Sequence, residues 1–170
     1  MKRILVLVLV LFCFVGVVGL SNQEPVKVSI ESYKVWDSRT ATETLEILQE
    51  VFPGDEIMYI LTYENVSEST FGGLQMVGMI PEETFYIKGS ATGEKRKHEE
   101  WEAKDIELRF SIDGGISFSK PPLFTEEVVG GITVKKLVNP ITYTNILWIY
   151  SKDFKPFDIL KVCYRVKVSE

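Results

Sequence analysis

From Val26 onward, apolar and polar positions alternate along this chain with a period of two. Val26, Val28 and Ile30 alternate with Lys27, Ser29 and Glu31, the pattern of a strand that buries one face. Pro53-Gly54-Asp55 is a turn signal, and Ile57, Tyr59, Leu61 and Tyr63 behind it share one face. Leu74 to Ile80 is a short apolar run stopped by Pro81, and Thr84 to Lys88 reads as a strand closed by Gly89. Ile106, Leu108, Phe110 and Ile112 alternate with Glu107, Arg109 and Ser111, then meet Asp113-Gly114-Gly115, a hairpin signal. Residues 124–129 and 132–138 flank Gly130-Gly131 as a second hairpin, and Asn145 to Tyr150 and Ile159 to Val168 complete the series. Seven or more short strands with turns between them predict an antiparallel β-sandwich.

Two stretches fit this pattern less well. Thr44 to Val51 (TLEILQEV) reads as a further edge strand ahead of the Pro53-Gly54 turn, with a helical turn as the alternative. Glu94 to Asp105 (EKRKHEEWEAKD) is polar almost throughout. It is expected to be a solvated loop; a short helix with Lys95–Glu99 and Arg96–Glu100 pairs is the alternative.

The first twenty residues do not follow this period. Met1-Lys2-Arg3 precede an uncharged apolar run from Ile4 to Val18, the form of a secretory signal cut after Gly19 or Ser21. Fifteen apolar residues fall short of the roughly 20 that span a bilayer, so cleavage is expected rather than retention as an anchor. Cys13 lies inside the run behind Phe12, which argues against a lipoprotein signal. Residues 1–20 are thus expected to be a signal peptide and 21–170 one sandwich domain. The domain would be exported: periplasmic, cell-surface or secreted.

Export changes what composition means. The whole chain of 170 residues carries a formal net charge of −5, and losing Lys2 and Arg3 leaves 17 basic side chains against 24 acidic ones. That sign argues against holding nucleic acid by neutralising phosphates. Two cysteines become one, Cys163, so the domain forms no internal disulfide and its packing must supply the stability.

A family likeness lies in an ordered series of short pieces. Pro53-Gly54-Asp55-Glu56-Ile57-Met58-Tyr59, with Tyr63-Glu64-Asn65, opens it. Ile80-Pro81-Glu82, Tyr86 to Ala91, Phe110 to Gly115, Tyr143 to Trp148 and Val162 to Val168 follow in order. Over residues 50–168 the chain resembles the conserved-repeat family of unknown function, number eleven, of exported and cell-surface prokaryotic proteins. The resemblance implies an all-β, immunoglobulin-like antiparallel sandwich of about 7–9 strands with a role in the envelope or at the surface. It brings no catalytic residues.

The candidate chemistry is sparse. A structural zinc site needs four Cys or His ligands, and after signal removal only His98 and Cys163 remain. No metal ligand, cofactor site or catalytic residue is assigned. His98 sits among Lys97, Glu99 and Glu100 without a nucleophile beside it. Cys163 is in phase with Lys161, Arg165 and Lys167, so it should face outward or lie near an edge, where it could link two chains. Ser111-Ile112-Asp113-Gly114-Gly115-Ile116-Ser117-Phe118 has the form of an Asp-box hairpin, expected as a folding device in which Asp113 bonds the turn's N–H groups. Asn65-Val66-Ser67 fits the glycosylation sequon but reads as a strand end. Of Trp36, Trp101 and Trp148, the last is in phase with Ile146 and Tyr150 and is expected in the core. Trp101, in the polar stretch, is the candidate for sugar stacking.

Strands 57–63 and 145–150 carry apolar groups on both faces, with Met58 and Ile60, and Leu147 and Ile149, as the second sets. A sandwich strand ordinarily buries one face. Either residues 33–51 cover the second face or a partner does. The expected function is therefore a non-catalytic structural or interaction module of the envelope. It would bind a protein partner, or itself, through an apolar face or an edge strand. The alternative is a carbohydrate-binding module or a small glycan-active protein.

Overall fold

A computed structural model describes residues 24–36, 44–97, 100–103 and 106–170; the signal-peptide reading lies outside them. Twelve strands occur among the described residues. They are β1 (Val26–Trp36), β2 (Thr44–Ile47), β3 (Glu56–Asn65), β4 (Phe71–Met79), β5 (Thr84–Tyr86) and β6 (Thr92–Lys97). After them come β7 (Glu100–Ala103), β8 (Ile106–Ser111), β9 (Phe124–Val129), β10 (Ile132–Leu137), β11 (Asn145–Phe154) and β12 (Ile159–Val168). One sheet runs β2-β1-β3-β12-β6-β7, with β5 also on β12, and a second runs β4-β11-β8. All their pairings are antiparallel. The strand β12 lies between β3 and β6, so the chain's last element closes the centre of the larger sheet.

The two sheets pack face to face through aromatic side chains. Trp148 of β11 meets Tyr164 of β12 with ring centroids 5.9 Å apart, and Tyr164 stacks on Tyr59 of β3 at 5.2 Å. Alternation puts them there: β3 and β12 each alternate strictly between buried and half-buried residues from end to end. Ile57, Tyr59, Leu61 and Tyr63 lie beside Val166, Tyr164, Val162 and Leu160 on the inner face of one sheet and belong to one core cluster, whose apolar surface leaves water when the sheets meet. A Cβ on Gly78 would sit 3.0 Å from the Trp148 ring and 3.1 Å from that of Tyr164. The missing side chain on β4 makes room for the indole. The result is the all-β antiparallel sandwich that the alternation predicts.

The strand count exceeds the expected 7–9, mainly through short hairpins. The stretch Glu94 to Asp105 is not a loop or a helix over its described part: β6 and β7 form a hairpin there, and β6 pairs with β12. It escapes the alternation rule because it carries polar residues in succession at the sheet's edge. Thr44 to Val51 is a strand only over β2, which pairs with β1; Leu48 and Val51 beyond it pack on the core.

Strands β1 and β2 extend the larger sheet sideways, with Tyr33 beside Met58 and Glu31 beside Ile60. The second-face side chains sit beside cross-strand neighbours within their own sheets. Met58 lies between Tyr33 and Arg165, Ile60 between Glu31 and Cys163, and Leu147 between Val77 and Arg109. Long polar side chains lay their stems along such surfaces; Leu147 is buried and Met58, Ile60 and Ile149 half-buried.

Candidate functional site

The strands β9 and β10 belong to neither sheet of the sandwich. They pair only with each other, in register from Phe124–Leu137 to Val129–Ile132, around Gly130-Gly131. Both glycines have positive φ, +60° and +82°, the backbone that a two-residue hairpin turn requires. Every residue of the two strands except Thr125 is exposed. The reason is legible in the residues. Glu126-Glu127 and Lys135-Lys136 are adjacent pairs, and neighbouring strand residues point to opposite faces. Each face of the hairpin thus carries a charge of each sign, and neither can be buried on the sandwich.

This arm nevertheless exposes six large apolar side chains: Phe124, Val128, Val129, Ile132, Val134 and Leu137. Near its tip Val128 is 70% and Ile132 68% exposed. A single two-stranded hairpin is at best marginally stable in water. Here Val138 N–H donates to the Leu123 carbonyl at 2.9 Å just below the strands, and both residues are buried. The neck is fixed while the strands stand free.

At the foot of the arm an apolar cavity of about 500 Å³ opens. Tyr86, Phe110 and Tyr143 form an aromatic cluster there, with centroid separations of 4.7 to 6.0 Å. Pro122, Leu137 and Val138 bring the arm's own base into the lining, and exposed Lys88 also lines it. Tyr86 is fixed from within the fold, since its hydroxyl accepts the Ala91 N–H at 3.2 Å. Burial pushes the Tyr143 phenol above its ordinary range. The size falls within the roughly 300–1,000 Å³ of small binding pockets.

The residues singled out in the sequence separate into working parts of the fold and positions elsewhere. Asp113 is wholly engaged in its own turn. It accepts from the Ser111 and Ser117 hydroxyls, each at 2.6 Å, and from Ser117 N–H at 3.0 Å. These bonds, the Ser111 one first, hold its carboxyl down at about 2. The Glu107 carboxylate is clamped by Lys120 at 2.8 Å and Arg109 at 2.6 Å, which lower it too. Both shifts run opposite to the raised carboxyl of a glycosidase acid. Asn65, the sequon position, is fully buried. Its Nδ2 donates to the carbonyls of Ser69 (2.8 Å) and Phe154 (3.1 Å), while its Oδ1 accepts from Ser67 N–H and Oγ. The folded protein offers no free amide there for a glycan.

Cys163 faces outward as expected, but from the interior of the larger sheet rather than an edge. Half-buried, its Sγ lies 2.9 Å from Thr92 Oγ1. Trp148 is fully buried. Trp101 lies on β7, not in a loop, and His98 lies outside the described residues. Among the described residues no three His, Cys, Asp or Glu side chains are grouped to hold a metal ion, and no helix is long and apolar enough to cross a membrane. No family model matches the chain, and no curated protein or solved structure matches it either. The family likeness therefore rests on the residues quoted for it, and the arm with its cavity stands as the site that the structure itself offers.

Proposed function

We propose that this chain is an exported, non-catalytic interaction module of the cell envelope that engages a protein partner through the β9–β10 arm. The observation that carries this reading is the arm's exposure: six apolar side chains outside the sandwich, on strands whose outer edges are unpaired among the described residues. Exposed apolar patches mark association sites, and a free edge offers main-chain hydrogen bonds to an added strand. Export is supported by the apolar run behind Met1-Lys2-Arg3. The sandwich presents the arm, and the Val138–Leu123 hydrogen bond between two buried residues fixes its neck.

The test is site-specific photo-crosslinking in cells. A photo-reactive amino acid replaces Val128 on the arm or, as a control of equal apolarity and higher exposure, Ile116 on the sandwich, 88% exposed. Protein adducts at position 128 and few at 116 are the expected result. No adducts at 128, or equal yields at both positions, would overturn the reading.

A further inference from the structure

The arm's tip and the cavity at its foot are two apolar features of opposite shape, a projection and a hollow, on one chain. We infer that the partner is a second copy of this chain, bound by reciprocal exchange, with the tip of each arm entering the cavity beside the other arm. This rests on the reading of the arm as the docking element and names its occupant. Val128, Val129 and Ile132 form the tip, while Pro122, Leu137 and Val138 mark the cavity as lying at the base. Strands of six residues span about 20 Å at ~3.4 Å per residue. An arm anchored at its neck therefore cannot bring its own tip back to its own cavity. Two arms laid antiparallel about a two-fold axis bring each tip to the other's base, because tip and cavity are one arm length apart in both copies.

Symmetry permits this arrangement and charge does not oppose it. A projection and a hollow on one chain build either an open filament or a closed pair; in the antiparallel two-fold pair both contacts are made at once and the assembly closes. The chain carries a net charge of −5, whereas the arm's four charged residues, Glu126, Glu127, Lys135 and Lys136, sum to zero. An acidic molecule approaching its own copy thus meets least repulsion along the arm. The cavity's lining is apolar apart from the Lys88 ammonium and the tyrosine hydroxyls, which suits aliphatic tip residues.

The experiment mixes two single-cysteine variants of the purified exported chain, Ile132→Cys at the tip and Leu137→Cys at the cavity mouth, each with Cys163→Ser. Both positions are exposed, at 68% and 62%, so folding is not at stake. Mild oxidation of the mixture is expected to give a reducible heterodimer, while each variant alone stays largely unlinked. Sedimentation of the unmodified protein should show a concentration-dependent dimer, which Ile132→Glu weakens about tenfold or more through lost burial of one aliphatic side chain. Bridging of the Ile132→Cys chain to itself in preference to the mixture would overturn the cavity as receptor. Monomers at every concentration would overturn the second copy as occupant. If adducts at position 128 in cells then contain a different protein, the interaction-module reading survives alone; if there are none, both fall.

Discussion

Strand β12 and the arm are built from similar materials and behave as opposites. Ile159–Val168 alternates so strictly that every second residue is buried, whereas Phe124–Val129 and Ile132–Leu137 leave nearly everything in water. Both contain valine and other β-formers, both carry lysines, and both pair antiparallel. The difference is a phase error. In β12 the polar residues Lys161, Arg165 and Lys167 stay on one face, but in the arm Glu126-Glu127 and Lys135-Lys136 put charge on both. One slip of the alternation decides whether a strand joins a core or stands out as a docking element.

The sharpest way to break this contrast is to remove the body's central side chain. Trp148→Ala is expected to cost about 3–5 kcal/mol, because the fully buried indole fills the space between Gly78 and Tyr164. Urea unfolding measures it, and a loss below about 1 kcal/mol would mean that the sandwich does not hang on its aromatic contact.

Asn65 tests whether the body also depends on polar fit. Asn65→Ala leaves the Phe154 carbonyl without its side-chain donor and removes the acceptor of the Ser67 N–H. The expected loss is about 2–3 kcal/mol, from buried groups losing their partners. A neutral result in the same unfolding assay would return Asn65 to an ordinary strand end.

Tyr59 sharpens the comparison from the other side, since the body also contains a defect. Its hydroxyl is buried without a hydrogen-bond partner among the described residues, and burial raises its pKa. Tyr59→Phe keeps the stack on Tyr164 and removes an unsatisfied group, so a gain of about 1 kcal/mol is expected. A measured loss would show that the hydroxyl is satisfied after all.

How much of this was legible in the residues varies with what alternation can express. The strands β3, β8, β11 and β12, the buried Trp148 and the self-contained Asp113 turn follow directly from period, phase and turn chemistry. The hairpin β6–β7 does not, because an edge strand with polar residues in succession reads as a loop. The arm was legible as two strands and a Gly130-Gly131 turn, but not as a separate sheet. Its signal, doubled charges in mid-strand, is local, whereas the choice of partner sheet is a long-range matter. The cavity at its foot joins residues from Tyr86 to Tyr143, a juxtaposition that no single stretch of sequence carries.

The Asp113 turn lies at the end of β8, not far along the chain from the arm, and its response to acid should remain local. The folded carboxyl is depressed to about 2 from an ordinary 3.8. Its contribution is thus complete above about 3.8 and is lost as pH falls through about 2. The Ser117 amide, which bonds Asp113, should report this as an NMR titration with its midpoint near 2, absent in Asp113→Asn. A midpoint near 4 would mean that the turn does not hold the carboxylate.

The smallest effect is expected where the apolar surface looks most costly. Ile132→Ser removes a large aliphatic group, as a core substitution would, yet the monomer should lose no more than about 0.5 kcal/mol, as for surface positions. The side chain is as open to water in the folded arm as a group in an unfolded chain nearly is, so folding gains little from burying it. The same substitution should lower binding of an apolar dye and reduce adduct formation at position 128. A loss of stability comparable to that of a core residue would mean that the arm folds back on the sandwich in solution, and the contrast with β12 would collapse. An unchanged monomer with weakened association would place the worth of Ile132 in the complex rather than in the fold.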